Sequence, residues 1–181
     1  MSRPLLIASI AAIATTASLA GSAMGQSRHN TNAPIDFAAQ SIELQDRANR
    51  AILSGGVRIT QANMTLTAAR VTVNYTGQVV DGSPSVSRFD ASGGVTVVRP
   101  DQTARAQYGV YDISRRVITM LGGVTLTQGS STVSGGRLTI NLDTGRASID
   151  GSGIGTTRAP DGSVVRSGGR VTGRFTVPKR D

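Results

Sequence analysis

Apolar and polar residues alternate with a period of two along most of the chain. Val57-Arg58-Ile59-Thr60, Val71-Thr72-Val73-Asn74 and Leu138-Thr139-Ile140-Asn141-Leu142 are examples. Successive side chains of an extended strand point to opposite faces, so this pattern buries one face and wets the other. No window of useful length favours the helical period of 3.6 residues. Turn-forming groups interrupt the pattern at Gln61-Ala62-Asn63, Arg99-Pro100-Asp101, Gln128-Gly129-Ser130 and Asp143-Thr144-Gly145. Those breaks predict strands of about five to seven residues. The chain reads as all-β.

The strands belong to a repeat. Gly55-Gly56-Val57, Gly93-Gly94-Val95 and Gly122-Gly123-Val124 recur, with Gly151-Ser152-Gly153 as a degenerate copy, at spacings of 38, 29 and 29 residues. The longer first spacing holds a turn-rich insertion near 77–85, with Asp81-Gly82 and Pro84. Aligned from the valine, the copies agree column by column. Ile59 matches Val97 and Leu126, Leu66 matches Ala104 and Val133, and Val73 matches Tyr111 and Ile140. Ala39-Gln40 and Ala106-Gln107 are equivalent, which sets Ile42 and Leu44 beside Gly109 and Tyr111. One such unit cannot bury its own apolar face, so neighbouring units must cover it. Periodicity leaves two stacks open, a parallel β-solenoid and an antiparallel trough. In either one the first and last strands offer unpaired backbone groups, which invite head-to-tail pairing.

Composition narrows the class. The 181 residues include 22 Gly, no Cys and no Trp, which removes disulfide scaffolds and thiolate metal centres. Met1–Gly25 reads as a signal peptide: Arg3, an uncharged run from Leu5 to Ala20, then Ala23-Met24-Gly25 as the cleavage site. The run is shorter than the roughly 20 apolar residues of a spanning helix. Residues 26–34 are expected to be a flexible leader, 35–154 the β domain, and 155–181 a basic Gly/Ser/Arg-rich tail, partly disordered. Val164-Val165 and Arg170 to Val177 could supply weak terminal strands. The net charge is +8, and all basic residues except Lys179 are arginine. Such a surface suits phosphorylated or acidic envelope polymers. Nucleic acid is not expected, because aromatic stacking platforms are scarce.

Catalytic chemistry has little to stand on. His29 is the one histidine and sits in the polar leader, where it is expected to be solvated and no general base. The aspartates border predicted turns, and Asp112 shares a column with Asn74 and Asn141, which reads as strand-end capping. Gly151 to Gly155 lacks the lysine and following helix of a phosphate loop. No catalytic residue, metal ligand or cofactor is expected.

Ala39-Gln40-x-Ile42-x-Leu44, Arg50 to Ile59, Leu66-x-Ala68-x-Arg70-Val71-x-Val73, Ala106-Gln107-Tyr108 and Leu121 to Leu126 together resemble the OstA-like family of lipopolysaccharide-export proteins. The resemblance covers about 35 to 151 and rests on the ordered series. It implies an antiparallel β-jellyroll, a twisted trough in the periplasm that holds the acyl chains of lipopolysaccharide (its lipid A part). It also implies end-to-end assembly, as a head-to-tail homo-oligomer and with inner- and outer-membrane components through terminal edge strands. The lining would be Ile42, Leu44, Val57, Ile59, Leu66, Val71, Val73, Val95, Val97, Tyr111, Ile113, Val124, Leu126, Leu138 and Ile140. Arg70, Arg99 and Arg137 would contact lipid phosphates; Arg58 alternates to the opposite face. Two other readings are the family's inner-membrane anchored component and a β-helical polysaccharide-active enzyme using an aspartate such as Asp112.

Overall fold

The computed structural model describes residues 29–77, 85–158 and 164–175, with the backbone alone for 153–158 and 164–168. The segment expected to be a signal peptide and most of the insertion, 78–84, lie outside the described residues. The described strands are β1 (Ile35–Ala38), β2 (Ser41–Gln45), β3 (Arg50–Gln61), β4 (Met64–Thr76), β5 (Ser85–Arg99), β6 (Gln102–Asp112), β7 (Val117–Gln128), β8 (Ser131–Asn141), β9 (Ala147–Asp150), β10 (Ser152–Arg158), β11 (Val164–Gly168) and β12 (Thr172–Arg174). Ten of them make one sheet in the order β1-β3-β4-β5-β6-β7-β8-β12, with β2 also on β3 and β9 also on β8; β10 and β11 form a separate hairpin. Every pairing is antiparallel, which selects the jellyroll trough over the parallel solenoid.

The central strands run 11 to 15 residues, about twice the length expected. The breakers at 62–63, 100–101 and 129–130 do end strands, as two-residue hairpins. The Gly-Gly pairs instead bend them. Gly55, Gly56, Gly93, Gly94, Gly122 and Gly123 all have positive φ, which L side chains resist. Two residues of the glycine strand face one residue opposite, Gly55-Gly56 against Ala69 and Gly93-Gly94 against Gln107. Such bulges bend and twist a strand, and here they fall in one column across five successive pairings. The sheet therefore folds along that column into two leaves. The first leaf holds β1, the stretches 57–61, 64–68, 95–99, 102–106, 124–128 and 131–135, and β12. The second holds β2, the other halves of β3 to β8, and β9.

The outer strands follow the same plan in pieces. β1 and β2 are the two halves of one bent strand, joined at Gln40, whose N–H reaches the carbonyls of Ser54 and Gly55. On the far side β9 and β12 take equivalent places on the two halves of β8. The hairpin β10–β11 is inserted between them, and Gly169 N–H donates to Gly151 O at 2.8 Å to close its base. The sheet thus extends past the boundary at 154. Segments of the expected tail supply part of β10 and all of β11 and β12, the last two at the weak strands expected from Val164-Val165 and Arg170 to Val177, and β12 covers Thr132–Ser134 in the first half of β8.

The leader also differs from expectation. His29 is buried rather than solvated, because it packs against the β3–β4 turn and finds polar partners there. Asp112 and Asn141 behave as anticipated at strand ends. Each accepts a backbone N–H three residues on, from Arg115 and Thr144, at 2.9 Å. The Arg115 N–H, then the Ser114 hydroxyl, hold the Asp112 carboxyl below its usual range.

Candidate functional site

The inner faces of the two leaves enclose one apolar cluster. It is built as ladders that run across the strands. Leu44, Ala51, Val73, Phe89, Tyr111, Ile118, Ile140 and Ala147 are successive register partners in the second leaf. Phe37, Ile59, Leu66, Val97, Ala104, Leu126 and Val133 form the matching ladder in the first. Seven strand intervals of about 4.8 Å give the longer ladder a span of about 34 Å. The repeat of the sequence is thus the translation along a trough.

All fifteen residues expected to line the interior border it. Val57, Ile59, Leu66, Val71, Val73, Val95, Val97, Tyr111, Val124, Leu138 and Ile140 are buried in the cluster, and Ile113 and Leu126 pack against it half-buried. Ile42 and Leu44 share the inner face but stay exposed. Leu53, Met64, Phe89, Ile118, Met120 and Leu142 belong to the same interior and were missed. Ile118-x-Met120 could have been found, since it alternates as Leu138-x-Ile140 does.

The leaves are offset by about three strands. Gln61 at the end of β3 meets Tyr111 of β6, and the β5–β6 turn shares a cleft with the residues before β9. Each end of the trough therefore keeps an uncovered overhang. At the β1–β2 end Phe37, Ile42 and Leu44 are 58 %, 51 % and 59 % exposed, and ten apolar side chains line a cavity of about 240 Å³. At the other end Phe175, beside Val133, is 71 % exposed, and Val171 is also exposed. Between the ends the interior is closed.

Polar groups hold it closed. Tyr111 donates to Gln61 Oε1 at 2.9 Å, joining second leaf to first. The Gln61 amide donates to the carbonyls of Thr31 (2.9 Å) and Ala33 (3.1 Å). With both its N–H groups so used, Oε1 is the acceptor for His29 Nε2 at 3.2 Å, and His29 Nδ1 lies 3.2 Å from the Asn63 side-chain amide. The Tyr111 ring stands 6.1 Å from Phe89. Burial, more than any neighbouring charge, pushes the Tyr111 phenol up to about 12. A raised phenol favours the protonated folded state, so this contribution is complete below pH 10 and fades as pH climbs toward 12. The unfolding free energy from urea denaturation should fall over that window, by up to about 2 kcal/mol. The fall should shrink in Tyr111→Phe.

Of the three arginines expected at phosphates, Arg70 and Arg137 are exposed on the outer face, pointing away from Val71 and Leu138. Arg99 faces inward and is buried at the lip of the first leaf. There it borders a cleft of about 410 Å³ with Asp101, Gln102, Leu126, Gln128, Thr144 and Arg146. No cluster of three or more His, Asp or Glu suited to a metal ion occurs among the described residues.

Residues 37–146, from β1 to the threshold of β9, match the model of LptA/(LptD N-terminal domain) LPS transport proteins. The chain belongs to this family. An LptA-family fold accounts for the bent antiparallel sheet, and solved structures agree. LptH from Pseudomonas aeruginosa, described as the LptA-homologous periplasmic component of a lipopolysaccharide transport device, superposes with a TM-score of 0.65. That likeness covers 82 % of this chain and 99 % of LptH at 18 % identity. A curated relative from Rhizobium meliloti (strain 1021), the uncharacterized protein R00383, is 29 % identical over 150 residues, or 81 % of each chain.

Proposed function

We propose that the protein is a periplasmic carrier of lipopolysaccharide, exported by a cleaved signal peptide, which holds acyl chains in the trough and spans the envelope by end-to-end assembly. The observation that carries this reading is the trough itself: apolar ladders with inner-face residues left exposed at both ends. Exposed apolar surface of this kind marks an interaction site. Leaving a 12-carbon chain in water costs on the order of 9 kcal/mol, at about 0.8 per CH₂, so a lipid crossing an aqueous gap needs continuous cover. Family membership supports the substrate. The work is carriage, with no covalent step, so the protein acts as a carrier and no enzyme.

The overhangs also fit stacking. The second leaf protrudes at the β1–β2 end and the first leaf at the β9–β12 end. A head-to-tail copy would place one over the other and extend the ladders. Inner- and outer-membrane components of the export machinery would use the same edges. Acyl chains would lie along the ladders, with the phosphorylated sugar at the Arg99–Arg146 cleft, where Leu126 leads inward. With Arg70 and Arg137 on the outer face, Arg99 and Arg146 at this cleft are the arginines put forward for the lipid phosphates.

A photo-crosslinking amino acid at Leu44, and separately at Glu43 on the opposite face, tests the reading in growing cells. Lipopolysaccharide adducts are expected at Leu44 and not at Glu43. Adducts at neither position, or equally at both, would overturn it.

A further inference from the structure

Beyond the cavity at the β1–β2 end, the interior that a carrier must fill with acyl chains is already full. Leu53, Val71, Val97, Ile118 and Leu138, spread over both leaves, are all but inaccessible. Loading therefore needs the leaves to part. At their mouth the two leaves are joined by the Tyr111–Gln61 bond, and Gln61 is itself clasped by the leader. Four bonds meet on this one amide: two donated to the carbonyls of Thr31 and Ala33, two accepted from Tyr111 and His29. The leader is braced in turn by Ala33 N–H to Asn30 O (3.3 Å), Asn32 N–H to Asn30 Oδ1 (3.1 Å) and the contact of His29 with Asn63.

These contacts form a chain from leader to second leaf. Gln61 satisfies its full capacity only while the leader and Tyr111 are both in place. If the leader leaves, a buried amide loses three partners and must turn to water, which weakens the hold on Tyr111. If the leaves part, Gln61 loses Tyr111. Strap and mouth are thus coupled through one side chain.

We propose that residues 29–33 are a strap that keeps the trough shut, and that lipid loading requires the strap to leave Gln61. The proposal rests on the carrier reading. Opening is the binding-competent state, so apparent affinity and loading rate scale with the fraction of molecules in which the strap is off. Losing the His29–Gln61 hydrogen bond, a net factor of about five, together with the polar contact to Asn63 sets the effect at about tenfold.

The test uses the full exported chain and a fluorescent 12-carbon fatty acid, with loading followed by stopped-flow fluorescence. His29→Ala should load about tenfold faster than the parent. The chain holds no cysteine, so the pair Asn30→Cys and Asn63→Cys can be joined by a short bis-maleimide to fix the strap. The joined protein should load at least tenfold more slowly than the same double variant left open. Equal rates for joined and open forms would overturn the strap, whatever His29→Ala does to stability. A chain that takes up no probe in any form, His29→Ala included, would instead sink the carrier reading beneath it.

Discussion

Leu138→Ala is expected to lower stability by about 2–5 kcal/mol, whereas Leu44→Asp should leave stability within about 1 kcal/mol and abolish lipid transport. Both leucines point to the same side of the same leaf, in adjacent inner rows. Leu138 is 0 % exposed, between Met120 and Ile149, so truncation removes transfer energy and leaves a cavity that two flanking strands cannot collapse. Leu44 is on the edge strand with water on one side, and its replacement vacates no packed volume. What it changes is the path: a carboxylate among Phe37, Ile42 and Leu53 puts an unpaired charge where acyl chains would pass or a second copy would seat. Urea denaturation of both variants, and lipopolysaccharide reaching the cell surface in Leu44→Asp cells, separate the two roles. Equal destabilisation would mean that the two ends of the ladder are packed alike. Normal transport in Leu44→Asp would remove the open end from the route.

Which residues face inward was legible from alternation, because a period of two needs no knowledge of tertiary contacts. The repeat was legible too, since its columns became rungs: Ile59, Val97 and Leu126 lie in one ladder. The glycines were harder to read. Two adjacent glycines in a strand pattern signal either a turn or a bulge, and only the partner residues Ala69 and Gln107, brought opposite by pairing, make bulges of them. The strap was not legible at all. His29 and Gln61 are 32 residues apart, and Tyr111 another 50 beyond, so nothing local marks three polar groups that converge in space. The tail was legible in part: Val164-Val165 and Arg170 to Val177 signalled the weak strands β11 and β12, but nothing local shows that three-residue β12 pairs Thr132–Ser134 of β8. Arg99 shows a further limit, since its column partners Gln61 and Gln128 are polar and its burial follows from the offset of the leaves.

Gly93→Ala is expected to destabilise by about 2–5 kcal/mol, and Gly94→Ala by about 1–2 kcal/mol, although both residues sit at φ near +80. The left-handed conformation penalises any L side chain to a similar degree, and at Gly94 that is the whole effect, because a Cβ there meets nothing within 4 Å. At Gly93 the new Cβ would come within 2.7 Å of Ala69 Cβ and 3.7 Å of its Cα. Ala69 has no rotamer to yield, so relief requires β4 to shift against β5 at the bend itself. That bend sets how the leaves face each other. The strain should therefore spread to the interior and loosen the Tyr111–Gln61 closure. Removing the opposing methyl separates the two contributions. In the Gly93→Ala background, Ala69→Gly should recover about 1–3 kcal/mol, which the same change in the parent does not. A double-mutant cycle by chemical denaturation reads this directly. A coupling near zero would mean that the bulge relaxes without moving β4, and that the glycine pair is required for its backbone angles alone.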